Sequence, residues 1–222
     1  MNAAHLESLI ALIYRWRLGL LLSGVLLIGA VWWFDEAPKA DVPSAEAGVP
    51  AMSFSEGEPV RGTDVQLLRL TLRTEPEKFS SSGYGLEVRN ALLLVGPDAT
   101  PHWLFKGHQN WVRRLQQLSG DPDDPEDGDT AALYVEYVST DTNGDQRLSS
   151  SDRFNVAVAA PDGTNFQTLL SDVQQVFSHV VTEEDELTVV YQKADAVRQA
   201  RFSLPSGKLL ADKEVVKVPQ AL

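Results

Sequence analysis

The chain has no cysteine in 222 residues. Disulfides, zinc–thiolate sites, iron–sulfur clusters and thiol nucleophiles are therefore excluded. Basic residues are scarce: 19 Lys and Arg stand against 31 Asp and Glu, for a formal net charge of −12. A general nucleic-acid binder needs a basic face to neutralise phosphate, so that class is set aside. Also missing are a Gly-x-Ser-x-Gly elbow, a Walker loop, a dinucleotide fingerprint and His-Glu-x-x-His. No local pattern singles out a nucleophile with its base, although a site assembled in space leaves no such trace. With 43% apolar and 23% charged residues, the chain is neither disordered throughout nor a multi-span membrane protein.

Long apolar runs are rare too, and the clearest sits near the N-terminus. Leu18 to Phe34 reads LGLLLSGVLLIGAVWWF, 17 residues without a charge. As a helix it measures about 25 Å, slightly short of a bilayer core. Trp16, Trp32 and Trp33 flank it as an interfacial belt would. Arg15 and Arg17 precede it, and Asp35 and Glu36 follow. The positive-inside rule then predicts residues 1–34 to be a cytoplasmic N-terminus plus one transmembrane helix, with the rest outside. In a cleaved signal peptide the apolar stretch is about 7–15 residues and a small-residue site follows, which Trp-Trp-Phe fits poorly. Leu6, Leu9, Ile10 and Ile13 recur at helical spacing, either as an amphipathic surface helix or as a continuation of the anchor. Residues 1–34 sum to +1, which leaves −13 on the remainder.

Residues 35–63 contain Pro38, Pro43, Pro50 and Pro59 among Ala, Ser, Glu and Gly. Few large apolar side chains occur there, so a flexible linker is expected. The folded domain is then expected over 64–222. Its strand signals are strong. Leu133, Val135 and Tyr137 alternate with Tyr134, Glu136 and Val138, and Phe154, Val156 and Val158 alternate with Asn155, Ala157 and Ala159. Leu187 to Gln192 and Val197 to Leu204 flank a turn at Lys193-Ala194-Asp195. Trp111 to Leu118 fits a short helix or another strand. The fold class is all-β.

Pro97-Asp98-Ala99-Thr100, Pro161-Asp162-Gly163-Thr164 and Pro205-Ser206-Gly207-Lys208 each follow an apolar strand and precede another apolar segment. Pro presets φ in such turns, and Gly supplies a positive φ in two of the three. These recurring hairpins loosely resemble those of periplasmic β-propeller proteins. The resemblance implies blades of about 40–45 residues, and the 159 residues from 64 to 222 suffice for only about 3.5–4. An incomplete propeller, an open antiparallel sheet or a sandwich all remain open, as does a set of ordinary hairpins without propeller kinship.

One segment carries metal chemistry. Asp141 to Asp152 reads DTNGDQRLSSSD, with Asp141, Asn143 and Asp145 at positions 1, 3 and 5 and Asp152 at position 12. It resembles the calcium loops of EF-hand and dockerin-like proteins. Calcium takes six to eight hard oxygen ligands, which carboxylates two residues apart on a tight loop supply. The resemblance implies that Asp141, Asn143, Asp145, the Arg147 carbonyl, Ser149 and Asp152 hold the ion, with Leu148 pinning the loop. Gln146 stands where the family has Gly, and Asp152 where it has Glu. Both departures imply weak, structural calcium binding. Strand patterns flank the loop in place of helices, which argues against a sensor that opens a helix pair.

Two clusters are weaker. Gly120 to Thr130, GDPDDPEDGDT, is expected to be a solvated acidic loop. His102, Trp103, Phe105, His108 and Trp111 are expected to be mainly core, with a ligand-binding aromatic face as the alternative. The combined expectation is a single-pass protein of a bacterial inner membrane with a periplasmic all-β domain. It would act as an interaction or accessory protein, with protein partners in the cell envelope and no nucleic-acid partner. The alternatives are an anchored hydrolase using His102 or His108 near an acidic metal site, and a ligand or glycan sensor.

Overall fold

The computed structural model describes residues 52–73, 86–121, 123–182 and 185–219. The expected transmembrane segment lies outside the described residues, as does most of the expected linker. Among the described residues no helix is long and apolar enough to cross a membrane.

Among the described residues thirteen strands run in order: β1 (Met52–Phe54), β2 (Glu58–Val60), β3 (Val65–Arg73), β4 (Leu86–Val95), β5 (Thr100–Trp103), β6 (Trp111–Ser119), β7 (Thr130–Val138), β8 (Phe154–Ala159), β9 (Gln167–Val173), β10 (Gln175–Val181), β11 (Glu186–Lys193), β12 (Ala196–Ser203) and β13 (Lys208–Lys217). All pairings are antiparallel. One sheet follows the order β1-β3-β4-β6-β7-β8-β9, with β2 on β3 and β5 on β4, and a second follows β10-β11-β12-β13.

The first sheet narrows to a single residue pair, Val88 with Val112, between β4 and β6. The strands therefore fall into three layers: β1–β5, β6–β9 and β10–β13. Apolar residues alternate to both sides of the middle layer, as in a strand buried on both faces. Leu133, Val135 and Ala157 join Leu67, Ala91 and Leu93 of layer one in one core cluster. Tyr134, Phe154, Val156 and Val158 join Leu187, Val189 and Phe202 of layer three in the other. Each fully buried Leu, Val or Phe is worth about 1.5–3 kcal/mol, so these two interfaces hold the layers together. The described residues thus hold three layers, where a closed propeller normally has at least four blades.

The structure corrects one expectation and resolves another between its two alternatives. The linker does not extend to residue 63, because β1 and β2 lie within that span. These three-residue strands carry little hydrophobic pattern, and Pro59 sits on β2, an edge position that tolerates a missing N–H. Long-range contacts hold them. Val60 is fully buried. Arg69 grips Glu58 through two bonds of 2.7 and 2.9 Å. Gln117 Nε2 donates to the Pro59 carbonyl, and its Oε1 accepts from the Arg61 N–H and the Thr130 hydroxyl. Trp111–Ser119 is a strand, paired with β7 along its length.

The three repeated turns all form hairpins, but not by the same residue. Gly163 and Gly207 take positive φ, and in the first turn Gly96 and Ala99 do so, at 71° and 49°. A Cβ on Gly163 would lie 2.7 Å from Leu93 and 2.9 Å from His102, so that turn packs directly on layer one.

Candidate functional site

The Asp141–Asp152 loop connects β7 to β8 and is wound by its own side chains. Asp141 accepts the Gly144 N–H at 2.7 Å with one oxygen and the Gln146 N–H at 2.7 Å with the other. Asn143 Oδ1 accepts the Asp145 N–H, and Asp145 Oδ1 accepts the Arg147 N–H, both at 2.9 Å. Asn143 Nδ2 donates to Asp145 Oδ2 at 3.0 Å. Successive turns of this kind are what Asx residues two apart favour. Gly144 lies at φ 80° and Gln146 at φ 65°. Gln146 thus adopts the left-handed conformation that calcium loops reserve for Gly, at a steric cost of roughly 1 kcal/mol. Leu148 packs against the core shared by layers two and three, as the sequence implied.

Asp152 is bonded to the backbone of its own loop. It is buried, 3% exposed. Its Oδ1 accepts from the Thr142 N–H at 2.6 Å, the Thr142 hydroxyl at 3.1 Å and the Asn143 N–H at 3.3 Å. Its Oδ2 accepts from the Ser149 N–H at 2.9 Å and the Ser149 hydroxyl at 3.5 Å. The Thr142 N–H bond leads the interactions that hold this carboxyl below its ordinary range, and Ser149 and Asn143 add to it against the effect of desolvation. With its lone pairs so engaged, Asp152 is the clasp that closes the loop. The fit to a calcium ion therefore divides: the Asp141, Asn143 and Asp145 turns match, whereas Asp152 and Ser149 are bonded to each other. Among the described residues no group of three or more His, Asp and Glu side chains converges to hold a metal ion.

The aromatic cluster divides as well. Phe105 is core, 5.0 Å from both Tyr137 and Phe166. Trp111 packs against the core of layers two and three. Trp103 is at the surface, 37% exposed, with its ring 5.9 Å from Phe54 and 4.7 Å from His108. Phe54 was not part of the sequence cluster, and only the pairing of β1 with β3 brings it there. Beneath them Asn90 is fully buried. Its Nδ2 donates to the carbonyls of Phe105 and Gly107 and meets His108 Nδ1, while its Oδ1 accepts from Ala91 and Phe105 N–H.

The histidines of the hydrolase reading have different partners. His102 Nε2 meets the Gly163 carbonyl at 3.1 Å, and His108 belongs to the Asn90–Trp103 group. Near His102, burial would raise Asp162, but the Thr164 hydroxyl and N–H outweigh it and hold that carboxyl low. In the acidic loop, Asp121 accepts the Asp123 N–H and Asp124 the Asp127 N–H, while the side chains of Asp123 and Glu126 are exposed.

One polar group was invisible in the sequence. Tyr134 donates to Glu136 at 3.1 Å, both buried, and Arg114 Nε lies 3.7 Å from the same carboxylate. Burial holds the Tyr134 phenol protonated far above its usual range, and Glu136 adds to the effect. His179, on β10, stacks on Tyr134 and meets Gln116 Oε1 at 3.2 Å. These groups link layers two and three.

No family model and no curated protein matches the chain. Among solved structures, the β-propeller domain of the Trilobed protease from Pyrococcus furiosus aligns at 12% identity and a TM-score of 0.39, over 74% of this chain and 43% of that one. A luciferin-regenerating enzyme aligns at 8% identity and 0.36, over 76% of this chain and 62% of that one. The chain spans less than two thirds of the length of either.

Proposed function

We propose that this chain is a membrane-tethered interaction or accessory protein of a bacterial cell envelope, and that its β domain presents one apolar sheet face to a protein partner. The observation that carries the reading is that face. Met52, Phe54 and Trp103 are 49%, 47% and 37% exposed on layer one. Exposed aromatic residues gathered in one patch are typical of contact surfaces and rare on free ones. The apolar run 18–34, with Arg15 and Arg17 before it, supports a single-pass anchor with its N-terminus in the cytoplasm and the domain in the periplasm. The Asp141–Asp152 loop serves this domain as a structural calcium loop. Asp141, Asn143, Asp145 and the Arg147 carbonyl hold the ion, and Asp152 clasps the backbone behind it. Bound calcium neutralises the loop carboxylates and stiffens the β7–β8 connection.

The reading is tested by a photoactivatable residue placed at Leu92 or at Gln199 in the full chain, irradiated in native membranes. A specific crosslinked polypeptide from Leu92 and none from Gln199 supports it. Equal, weak labelling from both positions contradicts it.

A further inference from the structure

An asparagine followed by glycine is the pair at which a main-chain nitrogen most readily attacks the preceding side chain, because glycine has no Cβ to block the approach. Of the asparagines in the sequence only Asn143 precedes a glycine. The structure leaves that pair open. Asn143, Gly144 and Asp145 are exposed. A Cβ on Gly144 would meet nothing within 4 Å.

The chain has two Asp-Gly pairs that could react in the same way, Asp127-Gly128 and Asp162-Gly163, and both are packed. A Cβ on Gly128 would meet the Ser119 hydroxyl and lie 2.7 Å from the Asp124 carbonyl, and one on Gly163 would lie 2.7 Å from Leu93. Against the effect of burial, the Thr164 hydroxyl and N–H, at 2.7 and 2.9 Å, keep the Asp162 carboxyl ionised. A carboxylate is a poor electrophile, so this pair is closed by its chemistry as well as its packing.

At Asn143 the local hydrogen bonds supply what ring closure needs. The Gly144 N–H, which carries the nucleophile's proton, donates to Asp141 Oδ1 at 2.7 Å. That carboxylate stands within the reach of a general base. Asn143 Oδ1, where negative charge develops as Cγ becomes tetrahedral, accepts the Asp145 N–H at 2.9 Å. A donor so placed stabilises the developing oxyanion.

We propose that Asn143 is a site of self-modification, with Asp141 as the base. The Gly144 nitrogen bonds to Cγ of Asn143 as Asp141 takes its proton. The proton passes to Nδ2, the Cγ–Nδ2 bond breaks, and ammonia leaves. The resulting cyclic imide is opened by water at either carbonyl, giving aspartate or isoaspartate. One water is consumed for each ammonia released, and nothing is oxidised or reduced. Both products replace the Asn143 Nδ2 donor, now 3.0 Å from Asp145 Oδ2, by a carboxylate facing another carboxylate. Isoaspartate also adds a methylene to the main chain beside the Asn143 N–H that Asp152 accepts. The modification therefore loosens the β7–β8 connection. It is independent of the contact-surface reading.

The test uses the full chain in mild detergent with a chelator, incubated in heavy-oxygen water near neutral pH. The peptide carrying residue 143 is followed by mass spectrometry and by enzymatic methylation of isoaspartate. The expected product is a mixture of aspartate and isoaspartate at that position, labelled with heavy oxygen, and formed faster in the folded chain than in the same chain unfolded in urea. Asp141→Asn, with its cooperative melt retained, should slow the folded rate at least ~10-fold, a modest loss for a general base. Asp141→Glu, which keeps a carboxylate, should retain more of the rate than Asp141→Asn. An unconverted Asn143, or slower conversion in the folded chain than in urea, means that the turns protect the residue and overturns the proposal. An equal rate in Asp141→Asn and the wild type overturns the assignment of Asp141 as base.

Discussion

His179 lies flat on Tyr134, with ring centroids 4.2 Å apart and planes 7° from parallel. The contact joins β10 of layer three to β7 of layer two, and it is titratable. Burial, aided by Arg114 and opposed by Glu136, lowers the His179 pKa from its ordinary 6.5. The unfolded chain therefore takes up this proton first. The stability that neutral His179 contributes is complete above pH 6.5 and is lost as pH falls from there through the lower folded value. Melting curves between neutral and mildly acidic pH should show the wild-type Tm falling more steeply than that of His179→Phe. Parallel slopes would mean that the imidazole stays solvated.

Gln146→Gly should stabilise the domain. The backbone sits at φ 65° there, where glycine carries no steric penalty. A gain of about 1 kcal/mol, less the extra chain entropy of glycine when unfolded, should appear as a rise of about 1–2 °C in Tm. Gly144, at φ 80°, is the counterpart: Gly144→Ala should lower Tm although a Cβ there would meet nothing within 4 Å, because the cost is backbone strain alone.

The loop also predicts a calcium response. Millimolar calcium should raise Tm relative to chelator, and Asp141→Ala or Asp145→Ala should remove that rise. Asp152→Asn should lower Tm even in chelator, since this carboxylate holds the Thr142 and Ser149 N–H groups without a metal. Because the Asp152 pKa is depressed, its contribution is present above 3.8 and fades as pH falls through the folded value. An unchanged Tm in calcium would remove the ion from the account while leaving the clasp.

Asn90→Ala should be among the most damaging substitutions. It strands the buried N–H of Phe105 and the carbonyl that its amide caps. Each orphaned buried group costs about 1–3 kcal/mol, so a loss of about 3 kcal/mol and a Tm drop of roughly 10 °C are expected. Calorimetry on the two proteins checks it.

What could be read in the sequence follows from the range of the forces involved. β7 and β8 were legible because Leu133, Val135, Phe154 and Val156 alternate with period two, a local signal. The Asx turns of the loop were legible because Asp141, Asn143 and Asp145 act on backbone groups two to five residues away. β1 and β2 were not, since β1 is held by pairing with β3 and Pro59 by Gln117, 58 residues along the chain. β6 was ambiguous because Arg113, Arg114, Gln116 and Gln117 dilute its pattern. The hydrogen bonds of Asp152 were not legible, because its Thr142 and Ser149 donors are set by the path of the loop and not by its position in the motif. The open face was out of reach, because a run such as Leu67-Leu68 does not say which of its sides another layer will cover.

The central claim is that the outward face of layer one is covered in the working protein. Hydroxyl-radical footprinting of the full chain in native membranes tests it most directly. Met52 and Trp103, 49% and 37% exposed on that face, can be compared with Phe177, 48% exposed on β10. The account predicts that Met52 and Trp103 are strongly protected while Phe177 is oxidised. Oxidation of all three at the rates their exposures and side-chain reactivities dictate would contradict it.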